Sequence, residues 1–199
     1  MTHCVQRLAS RASSAGWLRS GGFAGADDLN QRLLDHQGRV QAAADEGIPV
    51  VGYDRLIEEL GVGSFRYPGG SLTERYFDIT NPNASLVTEG DTGETRDFIP
   101  LNEALSYAGA EGLSVTVVIP TRNLLSTTAD ANGDRFAAID EDALRGFVRD
   151  VVSGVHGSAE IEAFELGNEY WGSGQMTSVE YGRLASEMAV IVNDELNAL

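Results

Sequence analysis

The chain has 199 residues, of which 42% are hydrophobic and 22% charged. That is enough apolar material for one packed core, and it excludes a chain disordered throughout. Asp plus Glu number 30 against 14 Lys plus Arg, a formal charge of −16, so phosphate backbones and anionic membranes are repelled. No run of about 18 apolar residues is present to span a bilayer. The expected partners are therefore neither nucleic acid nor membrane.

The N-terminal segment, residues 1–47, has no firm pattern. Arg7, Arg11 and Arg19 lie among Ser, Ala and Gly with no apolar stretch long enough for a signal-peptide core. Leu29 to Ala44 reads as helical with an interruption at Gly38, and Ile48 to Val51 as a short strand demoted by Pro49. The single cysteine, Cys4, forbids an internal disulfide and reads as a loose thiol. His3, His36 and His156 have no metal-ligand spacing.

From about residue 48 the pattern becomes regular. Tyr53 to Leu60 reads as a helix stopped by Gly61, and Gly63–Pro68 as a strand. A long loop, Asp78 to Phe98, carries Glu89, Asp91, Glu94 and Asp97, most of them read as solvated charges. Pro100 suits a first helical position, and Leu101, Ala104, Leu105 and Ala108 make a helical stripe to about Ala110. Ser114–Pro120 is a near-continuous apolar strand, as when both faces are covered. A second long loop, Asn123 to Ala138, follows it. Asp140 caps a helix to Val152, Ile161–Gly167 is a third strand, and Thr177 with Glu180 forms a capping box for a helix from Ser178 to about Leu196. Strands alternating with helices predict right-handed βαβ units and a parallel sheet.

The chemistry concentrates in Ile161 to Trp171. A hydrophobic strand runs out into Gly167-Asn168-Glu169 and then the aromatics Tyr170 and Trp171. A carboxylic acid at a strand's C-terminal end, beside an amide and an aromatic platform, suits sugar chemistry: glycosidic cleavage needs a proton donor on the leaving oxygen. Tyr170 and Trp171 read equally as packing residues or as a stacking face for a sugar ring. Glu165 shares strand parity with Glu169, and a buried carboxylate there needs a partner; in a closed parallel barrel alternate strands share layers, which would let it meet Arg66.

This segment resembles the Asn-Glu motif at the end of the fourth strand in the clan A (β/α)8 retaining glycosidases. Phe65-Arg66-Tyr67-Pro68-Gly69-Gly70 is similar to the Arg-aromatic-Pro-Gly-Gly end of the second strand in the arabinofuranosidase-like and heparanase-like members of that clan. The resemblance covers about residues 50–196. It implies an α/β fold made of a partial TIM (β/α)8 barrel, about the first four βα units, over residues 48–199. It also implies that Glu169 is the general acid/base, that Asn168 and Arg66 bind substrate and tune the carboxylates, and that Gly69 and Gly70 turn the backbone tightly beneath the substrate. No cofactor is implied. The nucleophile of that clan lies on the seventh strand, so the expectation is a fragment with a proton donor, little turnover alone, and a carbohydrate as substrate. The two edges of half a barrel would be unpaired, which predicts self-association or docking of a missing C-terminal half.

Beside a complete, unrelated small α/β enzyme with a closed core, two alternatives remain at this level. One is a carbohydrate-binding protein without hydrolysis. The other is a calcium-associated secreted module: Asp130, Asn132 and Asp134 place oxygens at alternate positions and Glu141 falls where a twelfth ligand would lie, although Arg135 stands where the loop needs glycine. Export is compatible with polysaccharide chemistry, but no signal peptide is visible.

Overall fold

The computed structural model describes residues 6–7 and 60–199. Residues 63–199 and the strand Gln6–Arg7 belong to one compact unit. In chain order its elements are β1 (Gln6–Arg7), β2 (Ser64–Tyr67), α1 (Gly70–Tyr76), β3 (Leu86–Thr88), β4 (Thr95–Asp97), α2 (Leu101–Glu111), β5 (Ser114–Ile119), β6 (Leu125–Ala129), β7 (Arg135–Ala137), α3 (Glu141–Val152), β8 (Glu160–Leu166) and α4 (Ser178–Ala198).

The fold is α/β. β2, β5 and β8 form a parallel sheet in sequence order, with Arg66 opposite Thr116 and Val118 opposite Glu165. β5 is central, and Val115, Val117, Val118 and Ile119 are completely buried, as its apolar run predicts. α2 packs against β5, α4 against β8, and α3 against α4. Leu101 and Leu105 of α2, Leu144 and Val148 of α3, and Leu184 and Met188 of α4 close the core. Each such side chain contributes about 1.5–3 kcal/mol by leaving water.

The helix boundaries follow local chemistry. Asp140 accepts from the Ala143 N–H, and the Thr177–Glu180 capping box is fully formed. Pro100 is the cap of α2 rather than its first residue, with ψ at 146°. Of the helix expected at Tyr53 to Leu60, only Leu60 lies within the described residues, and it is helical. The expectations for Leu29–Ala44, Ile48–Val51, Cys4, His3 and His36 fall outside them.

Three findings correct the sequence reading. α1 directly follows the Pro68-Gly69-Gly70 turn, where no helix was expected. Both long loops fold into antiparallel hairpins, β3–β4 and β6–β7. The outer edge of β8 is not unpaired: β1 lies antiparallel along it, with Gln6 opposite Phe164 and Arg7 opposite Ala163. Among the described residues β2 is the other end of the sheet. No described helix is long and apolar enough to cross a membrane.

Candidate functional site

The C-terminal ends of the three parallel strands are tied together by one carboxylate. Glu74, on α1, is 2% exposed. Its oxygens accept from the Thr121 N–H at 2.9 Å, the Arg122 N–H at 2.7 Å and the Asn168 N–H at 2.7 Å, and the Thr121 hydroxyl donates to it at 3.2 Å. Thr121 and Arg122 follow β5, and Asn168 follows β8, so a residue after β2 fixes the exits of both neighbouring strands. Buried carboxylates are tolerated when their lone pairs are filled in this way. The sequence reading missed Glu74. The Ser71-x-x-Glu74 spacing was no guide to it, because Gly69 rather than Ser71 caps α1 and no capping box forms.

Arg66 supplies the second tie. Its Nε donates to Glu165 Oε2 at 2.5 Å and its Nη2 to Glu165 Oε1 at 2.8 Å, a two-pronged charge-assisted pair. The same Nη2 donates to Asn168 Oδ1 at 3.1 Å. The Arg66–Glu165 pairing expected from strand parity is therefore present. Arg66 bonds Glu165 and Asn168; no described contact links it to Glu169.

Beyond Asn168 the chain closes on itself. The Asn168 side-chain amide donates to Ser173 Oγ at 3.2 Å, and that hydroxyl donates to the Asn168 carbonyl at 2.9 Å. The Glu169 carbonyl accepts from the Gly172 and Gly174 N–H groups at 2.8 and 3.2 Å. Gly167 has φ +76° and no room for a Cβ, which would come within 2.7 Å of the Thr121 hydroxyl. Glu169 itself has φ +44°, a left-handed conformation that costs a non-glycine residue about 1 kcal/mol or more. The tight turn around it holds that conformation. Its carboxylate is exposed, and among the described residues it has no hydrogen-bond or ion-pair partner.

The aromatics divide. Tyr170 stacks on Tyr181 with ring centroids 4.5 Å apart, and the Tyr181 hydroxyl donates to the Leu166 carbonyl. Trp171 meets Tyr170 edge-on at 5.0 Å and is 66% exposed. Tyr170 is thus partly a packing residue and Trp171 an accessible ring. Gly69 and Gly70 have φ +73° and +59°, so the tight turn expected there is formed, with Gly69 capping α1.

Of the loop acids, Asp91, Glu94 and Asp97 are exposed as expected, and Glu89 is the exception. Glu89 is 2% exposed, accepts from the Thr92 hydroxyl at 2.5 Å and from Arg122 at 3.2 Å, and lies 3.5 Å from Arg75; Asp91 pairs with the other Arg122 arm. The Thr92 hydrogen bond, followed by Arg75 and Arg122, holds the Glu89 carboxyl below its ordinary range against the opposing effect of burial. These contacts clamp the β3–β4 hairpin to the exit of β5.

The calcium candidates are spent elsewhere. Asp130, Asn132 and Asp134 form the turn of the β6–β7 hairpin, where Asp130 Oδ1 accepts the Asn132 and Asp134 N–H groups. Asp130 Oδ2 pairs with Arg183 at 2.6 Å, Asp134 accepts from Thr177, and Glu141 pairs with Arg145 on its own helix. The alternation of oxygens reflects turn chemistry rather than a ligand set. Among the described residues no three His, Cys, Asp or Glu side chains are grouped to hold a metal ion. His156 Nδ1 lies 3.2 Å from the Asn83 amide, whose oxygen caps the start of α2.

No family model matches this chain, and no solved structure matches it.

Proposed function

We propose that this chain carries part of the catalytic face of a clan A glycoside hydrolase, arabinofuranosidase-like or heparanase-like, with β2, β5 and β8 as the second to fourth strands of a (β/α)8 barrel. The observation that carries the reading is Glu169: an exposed carboxyl, without a partner among the described residues, held at positive φ where a parallel strand ends. Backbone strain kept in place by a closed turn is characteristic of functional positions. Parallel α/β proteins do their chemistry at that end of the strands.

In this reading Glu169 protonates the leaving glycosidic oxygen and then acts as base on water. Arg66 and Glu74 orient Asn168, which hydrogen-bonds a sugar hydroxyl, and Trp171 offers a ring for the apolar face of the sugar. Retention requires a second carboxyl about 5–5.5 Å from the first. The resemblance assigns it to the seventh barrel strand, and the described parallel sheet holds three. Saccharide binding without hydrolysis is the second reading, favoured by the 66% exposure of Trp171.

The test is a panel of oligosaccharides with poor leaving groups, followed for hydrolysis and, by isothermal titration calorimetry, for binding. Saturable binding abolished by Trp171→Ala, with hydrolysis absent, supports the binding site. Any hydrolysis should disappear in Glu169→Gln. Hydrolysis that survives this substitution removes Glu169 from the proton-donor role, and absence of both signals refutes the carbohydrate reading.

A further inference from the structure

A cavity of about 350 Å³ opens beside the strand exits, apart from the turn that carries Glu169. Its walls are the end of α1 with the turn after it, the Thr88–Gly90 side of the β3–β4 hairpin, the segment after β5, and the first turn of α3. None of Arg66, Asn168, Glu169 or Trp171 lines it. The volume falls in the range of small-molecule sites, roughly 300–1,000 Å³.

Three polar groups on its lining have unused hydrogen-bonding capacity. Asp78 Oδ1 accepts from the Thr80 N–H at 2.8 Å and the Thr80 hydroxyl at 2.7 Å, and Oδ2 has no partner among the described residues. The Thr88 hydroxyl and the Asn123 amide have no partner among the described residues. Together they present a carboxylate acceptor, a hydroxyl that both donates and accepts, and an amide that does both. Ile79, Leu124 and Ile139 supply apolar wall between them.

The charges select the ligand. Among the described residues the one cation on the lining is Arg75, already 3.5 Å from Glu89, while Glu74, Asp78 and Asp140 are carboxylates, so an anion would meet repulsion. An organic cation would want an aromatic face. Both candidate rings are occupied: Arg96 lies over Tyr76, and Phe77 is packed among Tyr67, Phe98 and Phe147. What fits is a ring that presents hydroxyls to Asp78, Thr88 and Asn123 and C–H groups to the aliphatic wall. The Glu89–Arg122 clamp holds the hairpin wall in place before any ligand arrives, which lowers the ordering cost of binding.

We infer that this cavity is a second ligand site, for a neutral polyhydroxylated ring such as one saccharide unit. The inference rests on the cavity's own lining and does not need Glu169 to be a proton donor.

Amide spectra of the full ¹⁵N-labelled chain, titrated with cellobiose, xylobiose and maltose, test it; sodium sulfate and tetramethylammonium chloride are the charged probes. At least one sugar should give saturable shifts at the Thr80, Thr88, Asn123 and Ile139 amides. Asn123→Ala and Asp78→Ala should each weaken binding about tenfold while the rest of the spectrum is retained. Asn123 and Asp78 are both exposed, so truncation spares the core. No saturable shift with any of the three sugars would overturn the inference. So would saturation of the same amides by sulfate or tetramethylammonium, or sugar binding unchanged in both variants.

Discussion

The Glu74 carboxylate accepts the Asn168 N–H at 2.7 Å, across 94 residues of sequence, and this one bond sets where the Asn168–Glu169 turn leaves β8. The same carboxylate holds the Thr121 and Arg122 amides. Glu74→Ala would leave three backbone donors without their acceptor in a buried place. A loss of about 3 kcal/mol or more is expected in urea unfolding, with Glu74→Gln intermediate because its carbonyl oxygen can still accept. Near-native stability in the alanine variant would show that water replaces the carboxylate without cost.

Arg66 and Glu165 are 33% and 24% exposed, so their two-pronged pair is partly shielded from solvent. A double-mutant cycle with Arg66→Ala and Glu165→Ala should give a coupling of about 1–2 kcal/mol. Arg66→Lys should recover only part of it, since an ammonium cannot make the parallel pair. A coupling near zero would reduce the pair to an ordinary surface contact.

Acid should loosen the β6–β7 hairpin. Glu180 is 3% exposed and accepts from the Arg135 side chain at 2.7 Å, from the Arg135 N–H at 2.9 Å and from the Thr177 N–H at 2.8 Å. The Arg135 side-chain hydrogen bond, against the opposing effect of burial, brings its pKa down from 4.5 to about 2. A depressed carboxyl stabilises the fold above its unfolded value, and that stabilisation is lost as pH falls towards the folded value. Glu89 is lowered too and adds in the same direction. The Tm should therefore drop between about pH 4.5 and 2, and Glu180→Gln should show a lower Tm at pH 7 with a shallower acid slope. Parallel pH profiles for the two proteins would contradict this.

Gly167→Ala should be costly for its size. A methyl group would meet the Thr121 side chain at 2.7 Å, and φ is +76°. About 2 kcal/mol or more is expected from chemical denaturation. Trp171→Ala, at an exposed position, should stay within about 0.5 kcal/mol of the parent. That contrast separates the frame of the turn from what the turn displays.

The parallel strands and the three long helices were legible because their signals are local and strong. β5 is continuously apolar, and the Thr177–Glu180 box states its own helix start. The Arg66–Glu165 contact was legible because strand parity and charge pointed the same way. The hairpins were not: β3, β4 and β7 are three residues each and mostly solvent-facing, so no alternation of apolar residues marks them. Glu89 looked solvated because the cations that hold it are distant in sequence; Arg122 is 33 residues away. Glu74 hid for the same reason. A carboxylate whose donors are backbone N–H groups leaves no complementary side chain to recognise.

β1 gives the sheet a direction of growth. Its two residues already fill backbone positions of β8 opposite Ala163 and Phe164, and they run against the grain of the parallel strands. A further strand arriving beside β8 must first exchange places with them. One arriving beside β2 meets no such competitor among the described residues. Among the described residues the two borders of the sheet are thus unequal: one already carries an antiparallel partner, and the other carries none.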